Sequence, residues 1–250
     1  MTRGRFQGML AIARFNWPFY LAALLVFGCG MFSAFYFRDW WIQAAALLSV
    51  AGSGYFLFVS SGVSHLIYDR SDLYRWGWLE RALRGADRRR MVFCHSGFDE
   101  SSDKLRAELS KAEWSVLDHY DPALMTEASI RRARALFPPT PGTVGAPYDR
   151  WPVVEGCVDA VFGILAIHEF RTVGERARWF GEAGRCLRDD GRVVIVEHVR
   201  DAANFLAFGP GFLHFHSVRS WRRSWEKAGL RCVDEFRITP WVRVFILKKP

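Results

Sequence analysis

The chain has 250 residues, of which half are hydrophobic and 24% charged, with a formal net charge of +8. That is enough for one ordinary domain plus a smaller element, and it excludes an intrinsically disordered chain. Residues 15–37 and 40–68 contain no Asp, Glu, Lys or Arg, which disfavours a plain soluble globule.

The first uncharged run, Trp17 to Phe37, and the second, Trp40 to about Gly62, are each long enough to cross a hydrocarbon core of about 30 Å at about 1.5 Å per residue. Only Arg38 and Asp39 separate them, so residues 1–64 read as a transmembrane α-helical hairpin. Phe15, Trp17, Phe19 and Tyr20 mark one end, and Phe35, Tyr36, Phe37, Trp40 and Trp41 the other, where amphipathic rings settle at an interface. Gly28, Gly30, Gly52, Ser53 and Gly54 would let the two helices approach closely. Arg3, Arg5 and Arg14 stand before the hairpin without an acid, and residues 69–90 carry seven Arg against four acids. The positive-inside rule then places both termini and the following domain in the cytoplasm, with a bacterial-type inner membrane as the expected location.

Residues 65–90 read as an amphipathic connector. Leu73, Trp76, Leu79 and Leu83 share one face at helical spacing, with Arg75, Arg81 and Arg84 elsewhere. This suits a helix lying on the membrane surface, or equally the first helix of the next domain. Five scattered cysteines without C-x-x-C spacing indicate neither a disulfide framework nor a zinc ribbon.

From residue 91 to 250, short apolar runs alternate with amphipathic helices. Strands are expected at Met91–Cys94, Trp114–Leu117, Val158–Leu165, Arg192–Glu197, Cys232–Ile238 and Val242–Lys248. Helices are expected at Ser101–Lys111, Ala123–Phe137, Gly174–Leu187 and Ser217–Ala228. The alternation predicts an α/β fold, a Rossmann-like mostly parallel sheet with helices on both faces and a terminal antiparallel pair. Ligands in such sheets bind beyond the carboxyl ends of the strands.

The stretches from Val158 to His168 and from Glu182 to Glu197, followed by Trp225-Glu-Lys-Ala-Gly-Leu230, resemble the class I S-adenosylmethionine-dependent methyltransferases. The resemblance covers about 160 residues and implies seven strands, S-adenosylmethionine as cofactor and a transferase activity. It aligns Phe93-Cys94-His95-Ser96-Gly97-Phe98-Asp99 with the family's acid-x-Gly-x-Gly-x-Gly loop. Only Gly97 is kept; Phe93 stands at the acid position, and His95 and Asp99 stand at the other two glycines. By resemblance the cofactor residues are His95, Gly97, Asp99, Glu100 and Asp118. Asp99 and Glu100 would meet the methionine ammonium or merely begin the next helix. Asp118 would grip the ribose and is preferred over Asp121, which reads as a turn residue.

Polar residues cluster after the fourth and fifth strands. His168 and His198 are candidate general bases near neutral pH, with Glu169 and Glu197 as orienting or base carboxylates. Arg171, Asp201, Phe212, His214 and His216 are candidate substrate contacts. His168, Glu169, Glu197, His198, His214 and His216 also supply donors for a divalent metal, without a recognised spacing signature. Phe205, Phe208, Phe212 and Phe215 around Gly209-Pro-Gly211 read as an apolar lid or as core packing.

The reading that joins these features is a membrane-anchored methyltransferase acting on a lipid, quinone or terpenoid, with the bilayer and a hydrophobic small molecule as partners. Nucleic acid is not expected, because the basic residues are dispersed and no Asn/Asp-Pro-Pro-Tyr base-pocket motif occurs. Two alternatives remain: the same fold using the cofactor for another, metal-assisted reaction, and a non-catalytic interaction module.

Overall fold

A computed structural model describes residues 4–250 and divides into two compact units. One comprises the chain up to Ser71 together with Ala202–Gly211; the other comprises Asp72–Asp201 with Phe212–Pro250. The basic residue Arg3, used above for orientation, lies outside the described residues.

The first unit is helical. Helix α1 (Gln7–Phe15) turns Gly8, Ala11 and Phe15 inward, one helical stripe. Its first N–H groups are capped from far away: Gly8 and Met9 donate to the Asp69 carboxylate at 2.7 and 3.1 Å. His65 Nδ1 lies 3.0 Å from the same acid. Helix α2 (Trp17–Tyr36) opens with Pro18 in its first turn, where a missing N–H costs nothing. Helix α3 (Trp40–Tyr55) continues through a π turn, helix α4 (Ser61–His65) and a second π turn as one helical run, Trp40–Arg70. Both α2 and the Trp40–Arg70 run are long and apolar enough to cross a membrane. Their outward faces leave Leu24, Phe32, Phe35, Trp40, Leu48 and Phe58 exposed, Phe35 by 81%.

Two of the small residues set the helix approach. A Cβ on Gly30 would lie 2.9 Å from Val50 Cγ2 and 3.1 Å from the Ala46 carbonyl, and one on Gly54 would meet Phe27 at 3.4 Å. Gly28 and Gly52 face open space. Gly30→Leu is therefore expected to lower the thermal midpoint of the hairpin, whereas Gly28→Leu leaves it unchanged; helical circular dichroism in detergent measures both.

In the second unit, residues 72–90 are not one amphipathic helix. Trp76 has φ +64°, which breaks it, and only the short helix α5 (Leu79–Ala82) forms. Leu73, Trp76, Leu79 and Leu83 are all buried. Arg81 makes a fork-shaped pair with Asp234, both contacts at 2.7 Å, and lies over the Phe236 ring. The connector's apolar face thus belongs to the core of this unit.

Strands β1 (Arg90–His95), β2 (Glu113–Asp118), β3 (Thr143–Gly145), β4 (Val158–Ile164), β5 (Leu187–His198), β6 (Arg231–Thr239) and β7 (Val242–Lys248) form one sheet. The order is β3-β2-β1-β4-β5-β7-β6, parallel except for β7. Val193, Val194, Ile195 and Val196 are fully buried, as a central parallel strand requires. Helices α6 (Ser102–Glu108), α7 (Ala128–Leu136), α8 (Val173–Cys186) and α10 (Val218–Lys227) complete this unit, while α9 (Ala202–Phe208) belongs to the first. Helix α8 carries a full capping box, Thr172 with Glu175. It buries Trp179 and Phe180, and α10 buries Trp221 and Trp225. Each such ring contributes roughly 4–6 kcal/mol of transfer free energy before entropy is counted.

The sheet matches the expected fold, with three local differences. Six strands were delimited from the sequence, and the seventh, β3, is a three-residue edge strand after α7. The strand expected from Arg192 begins already at Leu187, and a register shift against β4 absorbs Asp189, Asp190 and Gly191. The helix expected over 123–137 begins only at Ala128. The Phe-rich segment is also partitioned: the Leu206 carbonyl in α9 accepts from the Tyr55 hydroxyl at 2.8 Å. Phe205 and Leu206 are about half exposed there.

Candidate active site

The sheet order reverses between β1 and β4, which opens a crevice at the carboxyl ends of both strands. β1 delivers His95, Ser96 and Gly97 to its edge. Gly97 has φ +93°, and a Cβ there would lie 2.7 Å from the Tyr120 ring, so glycine is required twice over. His95 and Ser96 are buried, and neither imidazole nitrogen nor Ser96 Oγ has a hydrogen-bond partner among the described residues. Burial lowers the His95 pKa despite the nearby Asp118 and Asp99 carboxylates. Unpaired buried polar atoms are costly unless a ligand pairs them. His95 Nδ1 stands 3.5 Å from Asp118 Oδ1, and this edge of the sheet is a candidate ligand site.

The other nominated acids are already engaged. Asp118 accepts from the Gly97 and Tyr120 backbone N–H groups, both at 3.0 Å, and from the Arg134 guanidinium. A ribose could be gripped by Asp118 only as Arg134 gives way. Asp99 caps α6, accepting from Ser101 and Ser102 N–H at 3.1 and 2.9 Å. Glu100 accepts from the Tyr74 hydroxyl at 2.8 Å. Beside them, His119 stacks on Trp151 and its Nδ1 lies 2.9 Å from the Ala146 carbonyl. Burial pushes the His119 pKa down to about 4. Its unfolded value is near 6.5, so stability is full above that pH and is lost as pH falls toward 4, by about 3 kcal/mol. Denaturation midpoints between pH 7 and pH 4.5 should show this loss, and His119→Gln should shrink it.

The densest polar cluster lies at the ends of β4 and β5. Glu197, fully buried on β5, accepts from the backbone N–H groups of Ala166, Ile167 and His168 at 3.1, 2.9 and 3.2 Å through one oxygen. Its other oxygen takes His168 Nδ1 at 2.7 Å. β5 thus supplies a carboxylate, the segment Ala166–His168 after β4, which runs into the 3₁₀ turn Ile167–Glu169, supplies three amides, and together they fix the imidazole. His168 Nε2 then faces Glu169 Oε1 at 3.6 Å. His214 faces the same oxygen through its Nε2 at 3.7 Å, while its Nδ1 reaches Glu127 at 2.9 Å. Burial opposes the charge on His214, but the Glu127 hydrogen bond and the Glu169 carboxylate outweigh it and push its pKa up to about 9.

Arginines brace this cluster through the backbone. Arg171 donates to the carbonyls of His168 and His214 at 3.1 and 2.7 Å. Arg200 donates to those of Phe215 and Leu213 at 2.8 and 2.6 Å. Buried Arg176 donates to the Phe170 carbonyl, to His216 Nε2, and to Ser220 and Ser224. Burial, followed by the Arg176 charge, holds His216 neutral with a pKa of about 3.

The structure therefore brings together His168, Glu169, Glu197 and His214, with Arg171 as a brace. His198 stands apart: its Nδ1 meets the Trp241 carbonyl at 3.0 Å and its ring stacks on Phe215, whose edge in turn faces His168. Asp201 faces Arg237 and Arg243 of the β6–β7 hairpin. Phe212 is only partly buried, in the 3₁₀ turn Gly209–His214. Glu127, Arg134 and Arg176 were not singled out by sequence reasoning. Each sits on or beside a helix at a position that reads as an ordinary solvated charge.

No protein-family model and no curated protein matches this chain. Solved structures do. Geranyl diphosphate C-methyltransferase from Streptomyces coelicolor, solved with Mg2+, geranyl diphosphate and S-adenosyl-L-homocysteine, aligns with TM-score 0.52 at 14% identity, over 76% of this chain and 83% of its own. A SAM-dependent methyltransferase from Aquifex aeolicus aligns with TM-score 0.50 at 12% identity, over 71% and 89%. The [4+2]-cyclase SpnF aligns with TM-score 0.50 at 14% identity, over 73% and 81%. The β3-β2-β1-β4-β5-β7-β6 sheet is thus the Rossmann-like fold shared with S-adenosylmethionine-dependent methyltransferases of class I.

Proposed function

We propose that this chain is a membrane-anchored S-adenosylmethionine-dependent methyltransferase whose acceptor is a hydrophobic, membrane-resident small molecule. The observation that carries the reading is the His168–Glu197 pair, set at the carboxyl edge of a methyltransferase-type sheet. Glu197 takes the Nδ1–H side of the ring, which leaves Nε2 as the proton acceptor. When bound, S-adenosylmethionine supplies a methyl group on a positively charged sulfur. The chain's own work is to hold the acceptor's hydroxyl, thiol or acidic carbon beside His168 Nε2 and take its proton as the new bond forms. His95, Ser96 and Gly97 would hold the cofactor's amino-acid end.

The apolar acceptor is inferred from the exposed faces of α2 and the Trp40–Arg70 run, and from the half-exposed Phe205 and Leu206 of α9. Geranyl diphosphate, bound by the Streptomyces coelicolor enzyme, carries an isoprenoid chain on a charged diphosphate, and only its chain resembles the acceptor proposed for this protein. The α2–α3 hairpin is read as crossing the bilayer, with the domain on the cytoplasmic side where the arginines gather.

A second reading, other chemistry on the same fold, is favoured by one observation: Asp118 is committed to Arg134. The test is incubation of the full-length protein with S-adenosylmethionine carrying a labelled methyl and with a total membrane lipid extract. Label entering the organic phase is the expected result. Label that stays in the aqueous phase, with cofactor bound, would favour the second reading.

A further inference from the structure

We propose that His168, Glu169 and His214 bind one divalent transition-metal ion. The inference goes beyond the methyltransferase reading, because uptake of the ion needs neither cofactor nor acceptor.

Two imidazole Nε2 atoms converge on one carboxylate oxygen, Glu169 Oε1, at 3.6 and 3.7 Å. Those separations are too long for hydrogen bonds. They match ligand atoms around a shared ion: bonds of about 2.1 Å at a tetrahedral angle place neighbouring donors about 3.4 Å apart. All three donor atoms lie within 4.8 Å of one another. The surroundings of the two rings point the same way. A histidine ligand usually donates its other ring N–H to a carboxylate, which orients it and raises its basicity. Here both rings do so independently, His168 to Glu197 at 2.7 Å and His214 to Glu127 at 2.9 Å. The donors come from two separate loops, and Arg171 ties those loops together through the carbonyls of His168 and His214. The three side chains are 12%, 10% and 23% exposed, so an ion can enter and keep open positions for an oxygen of the substrate.

Two imidazoles with one carboxylate select manganese, iron, cobalt or zinc over the all-oxygen preferences of magnesium and calcium. With the ion bound, His168 is a ligand, and the acidity of an ion-bound hydroxyl replaces its service as a base.

The test uses the full-length protein in detergent, stripped with a chelator, dialysed, and kept free of S-adenosylmethionine. Zn2+ binding is followed by calorimetry and Co2+ binding by visible absorption. One ion per chain is expected with either probe. Glu169→Gln and His214→Gln should each weaken binding at least 100-fold, and Glu197→Gln or Glu127→Gln about tenfold or more. Near-isosteric replacements preserve packing, and near-ultraviolet circular dichroism checks the fold of each variant. Absence of stoichiometric uptake, or uptake unchanged in folded Glu169→Gln and His214→Gln, would overturn the proposal and leave an imidazolium clamped between two carboxylates. Because no cofactor is present, that failure is separate from any failure of methyl transfer.

Discussion

Replacing His168 with alanine is expected to lower methyl transfer on the order of 10³-fold, within the usual range for loss of a general base. The melting midpoint should fall as well, because the deletion leaves one oxygen of the fully buried Glu197 carboxylate without its partner, so rates are compared at a temperature where the variant is folded. Glu197→Gln tests the same pair from the other side. It keeps the size of the side chain but removes the charge that three amides and the imidazole share. Its effect should approach that of His168→Ala, and the double variant should be little worse than either, because residues acting as a unit are non-additive. Initial rates of label transfer at saturating cofactor measure all three. Additive losses would mean that His168 and Glu197 act separately. The same loss on His168→Ala is expected whether the ring is a base or a metal ligand; restoration of the stripped enzyme by Zn2+ or Mn2+ separates those roles.

The second large effect is structural. Arg176 is 1% exposed, and its guanidinium reaches the Phe170 carbonyl, His216 Nε2, Ser220 and Ser224 at 2.6, 2.8, 2.6 and 3.2 Å. No carboxylate pairs with it among the described residues, and burial lowers its pKa to about 10. Arg176→Met removes a costly buried charge but leaves four acceptors without their donor. Charge-assisted bonds of this kind contribute about 1.5–3 kcal/mol each, so the loss outweighs the relief by roughly 2–4 kcal/mol. Chemical denaturation followed by tryptophan fluorescence should show it, since Trp221 lies against the guanidinium. The variant should also lose activity beyond its loss of stability, because Arg176 holds Phe170 and His216, each two residues after His168 and His214.

Much of this architecture was legible in the sequence. Val193–Val196 is apolar on both faces and could only be a central strand. The two uncharged runs could only be long apolar helices. His168, Glu169 and Glu197 were legible as a group because each leaves the carboxyl end of a neighbouring strand, and parallel topology collects such residues at one edge. His214 was also named, both for contact with substrate and as one of six donors for a divalent metal, although nothing in its neighbourhood in the chain shows its approach to Glu169.

What was missed depends on distant partners. Glu127 read as part of a helix that in fact starts at Ala128, so its role beside His214 has no local sign. Arg134 has no local sign of a role among the arginines of α7, yet it reaches sixteen residues back to Asp118. Arg176 occupies a position on α8 where charge suits solvent, and only the packing of α10 buries it. Helix α1 was not delimited from the sequence, because its cap, Asp69, lies about sixty residues away. β3 has only three residues, too few for an alternating pattern to register.

Calorimetric titration of the detergent-purified full-length protein with S-adenosylmethionine tests the central claim most directly. One molecule bound per chain with micromolar affinity, weakened by Gly97→Ala, is the result expected if the β1 crevice is a cofactor site. No heat of binding across a millimolar range, from protein with native tryptophan fluorescence, would contradict it. The fold would then carry a function that does not use S-adenosylmethionine.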